Sequence, residues 1–282
     1  MCSSDLDGQR ALGFAWFAAI GGLTVGFPVL VLVLRMLQSR RLGVQMTDLL
    51  SALLGSVSAS AWGALIAMLI ALPVAALAAR YRSRIVQGIE RGAFLGHALP
   101  GVVVGLSLVY FTLMVTPALY QTLVALAFAY AILFAPKAIG TSRAALEGVA
   151  PILETTARTL GRGAVAAWLS TTGRLAAPGV AAGALLVLLT AMKELPATLM
   201  LRPTGFETLA TELWARVDVA AYGAAAPYAL TLILTAALPA WLVGRWLGGH
   251  GDEPSFPSAR KETNAVAYGN FTSFAESEKV PQ

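Results

Sequence analysis

Apolar positions along this chain gather in long runs separated by polar links, and six of the runs approach the roughly 20 residues a helix needs to cross a bilayer. They cover residues 12–34, 56–78, 93–116, 118–135, 178–200 and 222–247. Pro73, Pro100, Pro196, Pro227 and Pro239 fall inside them. In a membrane this does not argue against helix, because neighbouring helices re-satisfy the carbonyls that proline frees. Charge inside the runs is confined to the last two, as Lys193 and Glu194 in one and Arg245 in the other. The pattern therefore predicts an all-α, polytopic transmembrane bundle of about six helices over residues 9–248, with both ends on one side.

Composition agrees. Of 282 residues, 57% are hydrophobic and 12% are charged, about half the charged fraction of an ordinary soluble domain. The net charge of +5 does not point to nucleic acid, since the basic residues sit singly between apolar runs and form no stripe with aromatics. Cys2 is the sole cysteine, so neither an intrachain disulfide nor a cysteine zinc site can form. His97 stands alone in the third run and is read as a packed histidine, because metal ligands come in clusters. The first run is too long for a signal peptide and is read as a retained span. Residues 1–8 are read as a non-native or disordered start. Residues 249–282, polar and rich in Gly, Pro and Ser, are read as a disordered cytoplasmic tail.

Basic residues in the links set the orientation. Arg80, Arg82, Arg84, Arg91, Lys137, Arg143, Arg158, Arg162 and Arg174 lie on one side, against Arg35, Arg40, Arg41, Arg202 and Arg216 on the other. The excess predicts that the termini and the richer links are cytoplasmic. Four GxxxG spacings, at Gly22/Gly26, Gly101/Gly105, Gly179/Gly183 and Gly244/Gly248, are read as places where helices approach closely.

The link over residues 136–177 is long for a compact bundle. Pro151 suits a first helical turn, Glu154 favours the N-terminal end of the dipole, and Gly161 with Gly163 supplies a stop. A second short helix over residues 164–172 then returns the chain to the membrane at Pro178. The expectation is two short helices meeting at a glycine corner on the cytoplasmic side.

The stretch Leu153 to Gly163, LETTARTLGRG, resembles the EAA loop of binding-protein-dependent ABC importer permeases. The triplet reads Thr155, Thr156, Ala157, and Gly161 takes the place of the family glycine. Thr155 stands where family members often carry Glu, with Glu154 one position earlier, and Gly173 and Arg174 replace a downstream Leu-Pro. ALPG at Ala98 to Gly101, LYQTL at Leu119 to Leu123 and MKELPATLMLRPTGFETLATELW at Met192 to Trp214 resemble the ferric-iron branch of these permeases. The resemblance runs over residues 12–247 and corresponds to the second six-span unit of members that carry two.

That resemblance implies a MetI-like permease fold and a transport subunit in a bacterial inner membrane. Implied partners are cytoplasmic ATPase subunits, a periplasmic solute-binding protein and a second permease half, either a copy of this chain or an N-terminal half. No GxxxxGK[ST] occurs in the chain, so no cofactor is expected here, and ATP with Mg would sit on the partner. The coupling loop would comprise Glu154, Thr155, Thr156, Ala157, Gly161 and Gly163. Lys193, Glu194, Pro196 and Thr198 are candidates for a translocation path or outer gate, since ionisable groups within a span are functional by default; snorkelling and helix termination are the simpler reading of Lys193 and Glu194. Ferric iron is the expected cargo, with thiamine, putrescine or another small solute as the alternative. An intramembrane enzyme is disfavoured because no G-x-S-x-G or HExxH occurs; a passive channel is opposed only by the long link and the resemblance.

Overall fold

The computed structural model describes residues 4–38, 45–81 and 83–248. The tail over residues 249–282 and the counted charges Arg40, Arg41 and Arg82 lie outside the described residues, as does the His97 side chain. Every regular element among the described residues is helical. Helices α1 (Ser4–Gly21) and α2 (Phe27–Gln38) are joined by a π-turn at Gly22–Gly26. Residues 4–8, set apart above, form the start of α1. Next come α3 (Met46–Arg80), α4 (Arg84–His97), α5 (Gly101–Val115) and α6 (Leu123–Glu147). The short α7 (Ile152–Thr159) and α8 (Ala164–Trp168) lead through a π-turn into α9 (Arg174–Ala191). Last are α10 (Pro196–Leu201), α11 (Leu209–Asp218) and α12 (Tyr222–Gly248).

Five helical stretches are long and apolar enough to span a membrane, and α4 with α5 makes a sixth if that bent pair counts as one span. The third predicted run is thus corrected from one straight helix to two, meeting at 98°. Pro100 explains the break: it has no N–H for the Gly96 carbonyl, and it caps α5 in an extended conformation. The fourth run is corrected in the opposite sense. Pro136 lies inside α6 without ending it, so the helix continues to Glu147 and carries Lys137 and Arg143 with it. Likewise α8, its π-turn and α9 form one helical stretch, Ala164–Ala191, which passes through Pro178. Most of the long link is therefore helix extending from the spans, and only α7 and the turn after it stand apart.

The core is built from small side chains. On α3, Ala52, Ser56, Ala59, Ser60, Gly63, Ala67, Ala71, Ala75 and Ala78 are buried, a spacing of three to four that places them on one stripe. Lipid tails are as apolar as leucine, so helices in a membrane gain by close backbone packing more than by hiding apolar area. The stripe lies against α6: a Cβ on Gly63 would sit 2.6 Å from Cβ of Tyr130. Of the four GxxxG pairs, Gly179/Gly183 on α9 packs against Ala145 and Thr141 of α6, and Gly105 packs against Met200 and Ala197. Gly22, Gly26 and Gly244 face open space. Helix α12 contributes Tyr228 to a cluster with Ala52 and Leu209. Near the end of α12 the Arg245 guanidinium lies 4.8 Å from the Trp241 ring centre.

Candidate functional site

The first short helix and its glycine stop form as the sequence predicts, whereas the expected second short helix is the start of the long stretch Ala164–Ala191. Glu154 lies in the first turn of α7, with its carboxylate 4.0 Å from Arg158 one turn on. Gly161 ends the helix at φ +87°, a left-handed conformation that costs other residues about 1–2 kcal/mol. The Gly161 N–H donates to the Arg158 carbonyl and the Arg162 N–H to the Ala157 carbonyl, the paired bonds of a Schellman stop. Gly163 is extended and precedes the first turn of α8. Thr155 and Thr156 turn their hydroxyls back onto the Ile152 carbonyl at 2.8 and 2.9 Å. They therefore present methyl groups where a glutamate would present charge. Ala157 is buried under the corner, while Ile152, Leu160 and Val165 are each at least 67% exposed. Between α7 and the returning helix runs a groove of about 560 Å³, lined by Leu153, Thr156, Leu160, Arg162 and Arg174 among others.

Arg80 fastens this corner to the bundle, a role its place in the charge tally does not reveal. Its guanidinium donates to the Val149 carbonyl at 3.2 Å and to the Thr172 hydroxyl at 3.1 Å. Close by, Arg143 pairs with Glu90 and Glu147, holding α4 to α6. Sequence shows the i,i+4 pair of Arg143 with Glu147 but gives little signal for Glu90, 53 positions away, or for the Arg80 partners, 69 and 92 positions away.

The second candidate group sits where the fifth span breaks. Helix α9 stops at Ala191 because Pro196 has no N–H for the Met192 carbonyl. Lys193 is exposed, whereas Glu194 folds inward. The Glu194 carboxylate accepts from the Ala197 N–H at 3.2 Å and lies against Gly101, the first residue of α5. A carboxylate is favoured at the positive end of a helix dipole, so one side chain ties the break in the fifth span to the break in the third. Thr198 donates to the Glu194 carbonyl at 2.5 Å and accepts from the Tyr130 hydroxyl at 2.6 Å, with both side chains buried. The structure thus brings Glu194, Pro196 and Thr198 together and leaves Lys193 outside that cluster.

At the end of the bundle away from the corner, residues 202–221 pack against the start of α3. The Leu209 N–H donates to the Ser56 hydroxyl at 2.7 Å, Glu207 presses its carbonyl onto Gly55, and Arg202 pairs with Glu207. Gly205 turns this loop at φ +75°. No group of three or more His, Cys, Asp or Glu able to hold a metal occurs among the described residues.

Compared with models of known protein families, the sequence matches none. It is 38% identical over 241 residues to the Fe(3+)-transport system permease protein FbpB 2 of Haemophilus influenzae, covering 85% of this chain and 48% of that protein. The chain thus spans about half the length of this curated relative. Its fold is similar to a chain of the MetNI methionine ABC transporter in an inward-facing conformation, with a TM-score of 0.58 at 14% identity, over 71% of this chain and 95% of that one. In sequence the chain is thus similar to about half of an Fe(3+)-transport system permease protein, and in fold it is similar to a chain of an ABC transporter.

Proposed function

We propose that this chain is a membrane-spanning permease unit that passes ferric iron from an extracytoplasmic binding protein to the cytoplasm, driven by ATP hydrolysis on a separate subunit. The observation that carries the reading is the Gly161 corner. It is a stiff turn with apolar side chains at its tip, held at the ends of long spans by Arg80. An exposed apolar tip on a polar, non-spanning segment is a docking surface. A rigid attachment lets a push on α7 reach α3, α6 and α9 together. Nucleotide state on the partner would then bias the bundle between two arrangements. Glu154, Thr155, Thr156, Ala157, Gly161 and Gly163 form the coupling element in this reading, and ATP with Mg is held by the ATPase.

The excess of Lys and Arg near the corner favours a cytoplasmic corner and an inner-membrane protein with cytoplasmic termini. The opposite end, residues 202–221, would then face the binding protein. Glu194, Pro196 and Thr198, at the junction of two broken spans, would move when the bundle changes state. Iron is favoured over thiamine or putrescine by the name of the relative. A two-fold path needs a second unit beside this one.

Affinity purification of the tagged chain from its native membranes, with recovery of an ABC ATPase subunit as the readout, tests the reading. The expected result is co-purification that weakens when Leu160 and Val165 are both changed to Asp. Undiminished recovery of the ATPase with that double variant would remove the corner from the interface.

A further inference from the structure

Lys137 is the group that the preceding reading leaves unused. It is the fifteenth residue of α6, about 21 Å along the helix from Leu123 and about 9 Å on the membrane side of Arg143 at 1.5 Å per residue. With a hydrocarbon core of about 30 Å, this places the ammonium within the depth of the bilayer. Its Nζ donates to the Thr190 hydroxyl at 3.1 Å, and that hydroxyl donates its own proton to the Leu186 carbonyl. Beneath it the Phe134 ring lies 6.0 Å away. An ammonium has three protons to donate, and among the described residues this one has a single protein acceptor and forms no ion pair. Glu194, four residues beyond Thr190, accepts from the Ala197 N–H instead and lies against Gly101.

Lys137 is partly buried, and a charge without an ion-pair partner at this depth faces the bundle interior or a water-filled cavity rather than lipid. In a permease the water-filled space at that depth is the translocation path. A fixed positive charge in a narrow polar path opposes the entry of other cations.

We infer that Lys137 is an electrostatic barrier in the translocation path, which keeps the resting bundle closed to sodium, potassium and protons. This rests on the transport reading above. It also bears on the cargo: a trivalent metal ion could pass such a charge only with its own charge offset by accompanying anionic ligands, or in a state in which the path widens around Lys137.

The test uses Lys137→Cys on a Cys2→Ser background, assembled with its ATPase and second permease unit in vesicles holding a sodium-sensitive dye. Without ATP, the variant is expected to leak sodium about tenfold or more faster than the parent, the scale expected when a nearby unit charge is removed from a partly polar site. A methanethiosulfonate bearing a trimethylammonium group restores tightness by returning the charge to the same folded protein, whereas one bearing a sulfonate does not. Thr190→Val, which keeps the charge and removes the hydrogen bond, stays tight. An unreactive cysteine, an unchanged leak, or sealing by both reagents alike overturns the barrier. If the parent vesicles take up iron with ATP, only this inference has failed; if they take up nothing, the transport reading fails and the inference falls with it.

Discussion

The Arg80 guanidinium and the Thr172 hydroxyl lie 3.1 Å apart, joining the end of α3 to the helix that leaves the corner. A second arm of the same group holds the Val149 carbonyl just before α7. One side chain therefore fixes both entry to and exit from the Gly161 corner. Hydrogen bonds to charged groups contribute about 1.5–3 kcal/mol, so Arg80→Ala is expected to destabilise the corner by about that much. Hydrogen exchange at the amides of residues 152–160 checks this, with faster exchange there and little change in the first half of α3.

Gly161 is held at φ +87° with no neighbour near its missing Cβ, so backbone strain is the only cost of substitution. Gly161→Ala should cost about 1–2 kcal/mol, and Gly161→Asn less, because Asn visits the left-handed region. The expected order of ATPase recovery in co-purification is Gly, then Asn, then Ala. Equal recovery for all three would show that the interface does not need the stop.

Gly55 leaves no room for a side chain against the Glu207 carbonyl. Gly55→Ala should push the 202–208 loop off α3 and loosen the Ser56 bond to Leu209, at about 1–3 kcal/mol for overpacking. The effect should stay at that end of the molecule. Binding of the extracytoplasmic partner, measured by surface plasmon resonance, is expected to weaken while ATPase recovery is unchanged.

Thr198 donates to the Glu194 carbonyl and accepts from Tyr130, so its removal costs more than its partner's. Thr198→Val leaves a buried phenol and a carbonyl without partners, and a buried polar group left unpaired costs about 1–3 kcal/mol. Tyr130→Phe removes only one donor, and Thr198→Ser keeps the network. Thermal unfolding in detergent should rank the midpoints as parent, Thr198→Ser close behind, Tyr130→Phe, then Thr198→Val. The double variant of Tyr130→Phe with Thr198→Val should lose less than the sum of the two single ones.

The apolar runs are legible as spans because hydrophobic length is a direct measure of bilayer fit, and the corner is legible because Gly161 has one steric job. Boundaries are harder. Pro136 reads as a stop in a soluble chain, yet in this bundle α6 continues through it with Gly96 close to the freed Ile132 carbonyl. Pro100 does break its run, and nothing local separates the two cases. Lys137 suffers for the same reason: with the helix drawn short it falls in a link, and only the full length of α6 shows its depth. Arg80 is visible as a charge, while its partners are set by tertiary packing.

At the centre of the proposed function stands the Gly161 corner, as the element that would transmit ATP hydrolysis on a partner to iron movement through this bundle. The most direct measurement is uptake of radiolabelled ferric iron into vesicles carrying the assembled complex, with binding protein outside and ATP inside, for the parent and for Gly161→Asp. Uptake by the parent is expected to depend on ATP and to be mostly lost in the variant, with hydrolysis by the isolated ATPase unaffected. Uptake that ignores ATP, or that proceeds undiminished in Gly161→Asp, would contradict the proposed function.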